Sequence, residues 1–260
     1  MKNLRKYGNA PFNIAVIHGG PGLPGEMAPV ERQLSADWGI LEPLQTAISL
    51  EGQVQELKSV LEENGSLPMT LVGHSWGAWL IFILTAQYPS LAKKLILVGS
   101  GPFEEKYASR LMETRLSRLN EEEKKEVLSL MEILNSSETE NESTAMTKLG
   151  KLMNKTDTYD PLPYNSDTLD CQQEIFQKVW PEANELRKSG KLLQLGKQII
   201  CPVVAIHGDY EPHPAEGVKD PLSRILKNFR FVTLKNCGHE PWIEPYAKDK
   251  FYKVLKEELR

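Results

Sequence analysis

The sequence is poor in features that would mark a disulfide-rich or metal-binding protein. It contains three cysteines, Cys171, Cys201 and Cys237, which are widely spaced and form no CxxC pair. An odd number of scattered cysteines argues against a disulfide framework and favours a reducing cytoplasm. We interpret the three residues as small buried or half-buried side chains and expect no metal site among them.

Long hydrophobic runs and an excess of basic charge are also missing. No apolar run approaches the length of about 20 residues that a transmembrane helix needs. The first residues, MKNLRKYGNAPFN, lack the apolar stretch of a secretory signal. The formal net charge is −4 and the sequence pI is about 5.8, so no dominant basic surface is expected. We therefore predict a cytoplasmic protein with neither nucleic acid nor a membrane as its partner.

What the sequence does contain is an alternation of strand and helix patterns over its first 101 residues. Short apolar runs rich in β-branched residues predict strands near 12–20, 39–45, 69–75 and 93–101. Between them, 49–65 has apolar residues at helical spacing, and 76–89 is apolar nearly all round. This alternation predicts a parallel sheet covered by helices on both faces.

The alternation stops after about residue 101 and resumes near residue 199. The intervening text is helical and charged, with helices predicted near 104–119, 121–134, 143–154 and 171–189. Strand patterns return in CPVVAIHG and FRFVTLKNCG, each followed by a predicted helix. We predict an α/β core made of residues 1–101 and 199–260, with the helical residues 102–198 inserted after its fourth strand.

The pentapeptide GHSWG, residues 73–77, lies where a predicted strand gives way to a predicted helix. It fits G-x-S-x-G, a pattern whose serine lies on a tight strained turn with its hydroxyl exposed. The flanking glycines avoid side-chain clashes as the strand passes into the helix. A serine hydroxyl is a weak nucleophile unless a base removes its proton, so Ser75 needs a histidine oriented by a carboxylate.

The candidates for that base and acid lie in the last third of the chain. His207 ends a predicted strand and should pack there, and His213 follows a proline. His239, in NCGHEPW, follows the last predicted strand on a loop that returns to the carboxyl edge of the sheet, so we take it as the base. Asp209 and Glu211 both follow the strand CPVVAIHG, and their chemistry leaves the choice of acid open.

The glycine-rich HGGPG, residues 18–22, ends the first predicted strand. Its glycines allow a close backbone approach, so one amide of this loop and the amide of Trp76 can form an oxyanion hole. A phosphate-binding loop is disfavoured because no lysine or hydroxyl residue follows at P-loop spacing. We expect His18 to be structural.

Together HGGPG and GHSWG resemble the α/β-hydrolase superfamily, and specifically the branch that contains proline iminopeptidases and related esterases. The elbow of that branch usually reads GGSWG, so His74 departs toward the wider esterase and lipase pattern. The resemblance spans nearly the whole chain. It implies an α/β-hydrolase fold in which residues 102–198 form a cap. Because only about a dozen residues precede the first predicted strand, the sheet is expected to have about six strands.

The resemblance also assigns site residues. The acid of the superfamily commonly stands three residues beyond the glycine that ends this strand, which selects Glu211 over Asp209. By the same likeness, Gly20 supplies the first oxyanion amide beside that of Trp76. No metal or organic cofactor is implied. The aromatic candidates for an apolar substrate pocket are Trp79, Phe103, Phe176 and Trp180.

The expected function is that of a serine hydrolase acting through an acyl-enzyme on a small carboxylic ester, amide or short peptide. One alternative is an aminopeptidase of the proline iminopeptidase type, in which acidic cap residues hold the free amino terminus of the substrate. The acids near Trp180 are Glu174, Glu182 and Glu185, and the resemblance assigns none of them to that role. The other alternative is a non-catalytic binding protein that keeps the fold, which an intact serine, acid and histidine set argues against.

Overall fold

The computed structural model describes residues 3–135, 142–163 and 172–260, and it confirms the predicted fold class. Within these ranges the strands form one sheet, in the spatial order β1-β3-β2-β4-β5-β6-β7. The strand β1 is antiparallel to β3, and the other neighbours pair in parallel. The seven strands described are β1 (Leu4–Tyr7), β2 (Phe12–Ile17), β3 (Gly39–Pro43), β4 (Met69–His74), β5 (Ala92–Val98), β6 (Val203–Gly208) and β7 (Phe229–Leu234).

The sheet therefore has one strand more than the six or so expected from the sequence. The additional strand is β1, whose residues LRKY pair with β3 in a register that places Arg5 opposite Glu42. Four residues with two positive charges carry no strand-like apolar pattern. Short, charged strands are typical of sheet edges, where they discourage pairing with other chains.

Helices cover both faces of the sheet, as predicted. In the described ranges these are α1 (Ala28–Leu34), α2 (Leu50–Asn64), α3 (Trp76–Gln87), α4 (Glu105–Ala108), α5 (Leu111–Ser117), α6 (Glu121–Asn135), α7 (Glu142–Asp157), α8 (Gln173–Lys188), α9 (Lys191–Leu195), α10 (Glu216–Ile225) and α11 (Lys248–Leu259). The helix expected over 104–119 is thus two short helices, α4 and α5. Cys171, at the start of another predicted helix, lies outside the described residues. None of the described helices has the length and apolar character needed to cross a bilayer.

The centre of the molecule is formed by β4 and α3. All six residues of β4 are buried, and α3 is buried without interruption from Trp76 to Ala86. A helix that is apolar all round can only be accommodated in the interior, here between the sheet and the helices α2 and α9. Each fully buried large side chain, such as Phe82, contributes about 1.5–3 kcal/mol of transfer free energy.

The parallel pairing brings the functional loops to one edge of the sheet. Gly73 of β4 lies opposite Ile17 of β2, and His74 lies opposite Val98 of β5. The carboxyl ends of β2, β4, β6 and β7 therefore meet at the same edge, which is where ligands bind in open α/β sheets. The loops that hold HGGPG, Ser75, Glu211 and His239 all leave the sheet there.

Candidate active site

Ser75 lies on a strained turn between β4 and α3. Its φ is +50° and its ψ is −112°, a backbone conformation that residues other than glycine rarely adopt. A Cβ atom on Gly73 would lie 2.3 Å from the Gly77 carbonyl oxygen, and one on Gly77 would lie 2.4 Å from that of Ile17. Both glycines are therefore required by close backbone contacts. The half-buried Ser75 lines a cavity on the carboxyl side of the sheet.

His239 lines the same cavity and is bonded to Glu211. The distance between its Nδ1 and Glu211 Oε2 is 2.7 Å. A carboxylate can only accept, so Nδ1 carries the proton and Nε2 is the ring nitrogen that can take one from a hydroxyl. The backbone holds this loop as well, because the amide of His239 donates to the Asp157 carbonyl at 2.8 Å.

The electrostatics of the pair favour an ionised acid and a basic imidazole. Burial alone would raise the pKa of Glu211, but the charges and hydrogen bonds of two histidines hold that pKa well below its usual range. Burial alone would lower the pKa of His239, yet the charge and hydrogen bond of Glu211 raise it above the ordinary histidine value.

The second histidine on Glu211 is His213, which the sequence offered only as a residue after a proline. Its Nδ1 lies 2.6 Å from Glu211 Oε1, so each carboxylate oxygen has its own imidazole. Burial lowers the pKa of His213 in spite of the charge of Glu211, which keeps this ring neutral and a donor. His207 packs at the end of β6 as predicted, and its Nε2 lies 2.9 Å from the His213 carbonyl oxygen.

Asp209, the other candidate acid, has different partners. Its Oδ1 accepts a hydrogen bond from the Cys237 amide at 3.3 Å, and its Oδ2 lies 3.5 Å from Lys235 Nζ. Both contacts tie the end of β6 to the loop after β7. This geometry favours Glu211 over Asp209 as the residue that orients His239.

A second carboxylate, that of the half-buried Glu26, supports the site through His74. Glu26 Oε2 lies 3.0 Å from His74 Nδ1 and accepts the Gly19 amide at 2.7 Å, while His74 Nε2 lies 3.1 Å from the His239 carbonyl oxygen. Burial alone would raise the pKa of Glu26, but His74, His239 and the Gly19 amide lower it to about 2. Both ring nitrogens of His74 thus lie within hydrogen-bonding distance of an oxygen atom, and the ring links Glu26 to the loop that holds His239.

Glu26 was not among the residues predicted from the sequence, where the one signal that pointed toward it was the departure at His74. The structure also bears on the roles expected for His18 and Gly20 in the HGGPG loop. His18 is fully buried, with its Nδ1 2.7 Å from the Gly19 carbonyl oxygen, as a structural residue would be. Because the Gly19 amide is bonded to Glu26, Gly20, which has a φ of +42° and lines the cavity, is the better candidate for an oxyanion donor.

Trp76, the other predicted oxyanion residue, is the first residue of α3. The first amides of a helix have no intrahelical acceptor, so the Trp76 amide is available beside Ser75. Its side chain is buried in the core and does not line the cavity.

The cavity that contains Ser75 and His239 has a volume of about 620 Å³, within the usual range for small-molecule sites. The core contributes Gly20, Pro21, Leu23, Glu26, Ser75, His239 and Glu240. The chain between β5 and β6 contributes Met112, Arg115, Met131, Met146, Thr147, Leu149, Gly150, Met153, Asn154, Asp157, Thr158 and Phe176. The helices α5, α6 and α7 thus form much of the wall facing the serine.

Of the four aromatic residues predicted to line this pocket, the structure places Phe176 there and the other three elsewhere. Trp79 is 1% exposed and stacks on Trp180 with ring centroids 5.8 Å apart. Phe103 is fully buried against Phe82 at 4.9 Å. The prediction failed for these three because aromatic residues on or against an entirely buried helix pack into the core.

The three acids near Trp180 also lie away from the cavity. Glu174 pairs with Lys178 at 2.7 Å on the exposed side of α8. Glu182 Oε2 accepts the Leu50 amide at 2.8 Å, at the start of α2, and Glu185 is exposed.

One set of residues has the composition of a metal site. The ligand atoms of Glu211, His213 and His239 all lie within 4.8 Å of one another. Hydrogen bonds of 2.6 and 2.7 Å join the two imidazoles to the carboxylate, so the three side chains form a hydrogen-bonded triplet. The expectation of a metal-independent site stays a prediction.

Known proteins match the chain in sequence pattern and in structure. The family model described as alpha/beta hydrolase fold matches residues 32–246. Among solved structures, VinJ aligns with a TM-score of 0.75 at 18% identity, covering 98% of this chain and 93% of its own. An esterase from Thermogutta terrifontis aligns with a TM-score of 0.65 at 16% identity over 99% and 92% of the two chains. Proline iminopeptidase from Mycobacterium smegmatis gives 0.64 at 15% identity over 98% and 93%.

No curated protein matches the chain significantly in sequence. The family match confirms the predicted resemblance to the α/β-hydrolase superfamily. At identities below 20%, these structural similarities show only that the fold is shared.

Proposed function

Because the chain belongs to the alpha/beta hydrolase family, we propose that it is a serine hydrolase which cleaves a small carboxylic ester or amide through an acyl-enzyme on Ser75. The observation that carries this proposal is the contact of 2.7 Å between His239 Nδ1 and Glu211 Oε2, at a cavity that Ser75 also lines. A buried, ionised acid on one ring nitrogen directs the other nitrogen to the nucleophile, as hydroxyl activation requires.

In the proposed cycle, His239 Nε2 takes the Ser75 proton as the serine oxygen attacks the carbonyl carbon. Glu211 fixes the tautomer and stabilises the imidazolium, and the Gly20 and Trp76 amides stabilise the oxyanion. His239 then protonates the leaving group. A water molecule, deprotonated by the same imidazole, attacks the acyl carbon and restores the serine.

We further propose that residues 102–198 form a cap over a core of residues 1–101 and 199–260. The support is the composition of the cavity wall, to which α5, α6 and α7 contribute most of the residues opposite Ser75. The substrate would reach the serine between these helices and the carboxyl edge of the sheet. A cytoplasmic location stays a prediction.

The alternative, an aminopeptidase of the proline iminopeptidase type, has the fold of the Mycobacterium smegmatis enzyme in its favour. It needs a carboxylate in the cavity to hold a free ammonium group. Among the described residues three carboxylates line the cavity, but Glu26 contacts His74, Asp157 is paired with Arg115, and Glu240 also has a partner. Comparing an N-blocked with a free prolyl amide tests this alternative, since only the free form should be cleaved by such an enzyme.

A fluorophosphonate probe tests the nucleophile directly. We expect covalent labelling of the pure protein at Ser75, located by peptide mass spectrometry, and its loss in Ser75→Ala and in His239→Ala. Circular dichroism of both variants shows whether they are folded. Absence of labelling in the folded wild-type protein would contradict the proposal and favour a non-catalytic binding protein.

A further inference from the structure

The methionines of this chain have an uneven distribution. Four of the seven methionines lie between β5 and β6, and all four line the cavity that contains Ser75: Met112, Met131, Met146 and Met153. They come from the three helices α5, α6 and α7 and are all half-buried. By contrast, Met27 and Met69 in the core are fully buried. The four side chains form a shared surface, which we call the methionine wall.

The charged side chains that line the cavity beside Ser75 and His239 already have partners. Arg115 Nε donates to Asp157 Oδ1 at 2.8 Å, and a second bond joins the same two side chains. Glu26 contacts His74, and Glu240 also interacts with another group of the protein. The rest of the wall is largely apolar, with Leu23, Leu149 and Phe176 beside the methionines. An uncharged substrate group is therefore better suited to this space than a charged one.

A wall of methionines is also deformable. Methionine is unbranched, has three rotatable bonds and fills irregular gaps, so surfaces rich in it accommodate flexible apolar ligands. A cavity of about 620 Å³ is also far larger than an acetyl group needs. Building on the serine hydrolase function proposed above, we infer that the methionine wall binds an uncharged, flexible aliphatic acyl chain of medium length.

Chain length is the first test, using p-nitrophenyl esters from acetate to laurate. In each reaction Ser75 Oγ attacks the ester carbonyl, p-nitrophenolate leaves, and water then releases the carboxylic acid. Burial of one methylene corresponds to a factor of about four in binding. We expect kcat/KM to rise at least tenfold from acetate to hexanoate or octanoate and then to level off or fall. A flat or falling profile from acetate onward would overturn the inference.

Oxidation provides a second test of the same surface. Mild peroxide converts accessible methionine into a polar sulfoxide, which should lower octanoate hydrolysis at least fivefold while acetate hydrolysis changes less than twofold. The matched control is a variant with M112L, M131L, M146L and M153L, which keeps the buried Met27 and Met69. It should keep its octanoate activity under the same treatment. Equal losses for both esters, or equal losses in the two proteins, would contradict a role for the methionine wall.

A pair of alkyl fluorophosphonates separates this inference from the function on which it rests. The ethyl and octyl compounds carry the same leaving group, and we expect the octyl compound to label Ser75 at least tenfold faster. Labelling at equal rates would leave Ser75 an active nucleophile and overturn only the acyl-chain inference. Absence of labelling by either compound would overturn both.

Discussion

Two buried glutamates in this protein, Glu211 and Glu31, have opposite chemical states. Both side chains are almost fully removed from solvent. Glu211 has an imidazole on each oxygen, and these partners keep its pKa well below the usual range against the effect of burial. Neither oxygen of Glu31 has a hydrogen-bond partner among the described residues. Burial, together with the negative charge of Glu42, raises the pKa of Glu31 well above the usual value.

The difference arises from what packs around each carboxyl group. Glu211 follows β6 at the carboxyl edge of the sheet, where the loop after β7 brings His239. Glu31 lies on α1 against the sheet, where the strongest charge acting on it is that of Glu42 on β3, ahead of those of Arg32 and Arg5. Burial alone thus does not identify a functional acid. The number and sign of its partners are more informative, and those of Glu211 fit the acid of the proposed mechanism.

The most severe test of the comparison is Glu211→Gln, which keeps the shape and removes the charge. The amide cannot hold both imidazoles as a carboxylate does, so the correct tautomer of His239 is lost. We expect kcat to fall by about 10³- to 10⁴-fold. The assay is ester hydrolysis over pH, with circular dichroism to verify folding. Residual activity within tenfold of the wild type would exclude Glu211 as the acid.

The dependence of kcat/KM on pH should also differ between that variant and the wild type. His239 must be neutral to act as a base, so activity is lost as the pH falls through its pKa. Glu211 raises that pKa, which means that Glu211→Gln should move the acidic limb of kcat/KM to lower pH. Glu31→Gln is the matched control and should leave the limb in place.

Glu26 is a half-buried acid that extends the comparison, since its partners are one histidine and one amide. Glu26→Gln removes the carboxylate that contacts His74 and should loosen the contact of that ring with the His239 carbonyl. Small displacements of a catalytic group are costly, and we expect kcat to fall by about 10- to 100-fold with little change in KM. A rise in KM at constant kcat would instead indicate that Glu26 contacts the substrate.

Several features of this site were predictable from the sequence because they depend on local geometry. The elbow at Ser75 needs its glycines wherever a strand passes into a helix this tightly, and His239 lies in the loop that follows β7. Glu26 was not predictable, because its role depends on a loop folding back onto Gly19 and His74. Trp79 was misassigned for a similar reason. A helix that is apolar on every side does not reveal which face meets the substrate.

For Glu31 the predicted effect is on stability rather than catalysis. Glu31→Met replaces a carboxyl without partners by an apolar side chain of similar length, and we expect the free energy of unfolding to rise by about 1–2 kcal/mol at pH 8. The folded state keeps the Glu31 proton at pH values where the unfolded chain has lost it, so this residue costs stability increasingly as the pH rises above 4.5. Urea denaturation at pH 5 and pH 8 should therefore show a larger gain at pH 8. An equal gain at both, or a loss, would mean that Glu31 is ionised or satisfied in the folded protein.

The smallest effect is expected at His213. It is the second imidazole bonded to Glu211 and takes no part in the proposed reaction. His213→Ala removes one hydrogen bond from the carboxylate and should lower kcat by about fivefold, whereas His213→Gln keeps a donor and should stay within about twofold of the wild type. With one partner gone, more of the negative charge of Glu211 acts on His239. The pKa of His239 should then rise further, and the acidic limb of kcat/KM should move to higher pH in His213→Ala, opposite in sign to the shift in Glu211→Gln. Two limbs that moved in the same direction would show that the two histidines do not compete for one carboxylate.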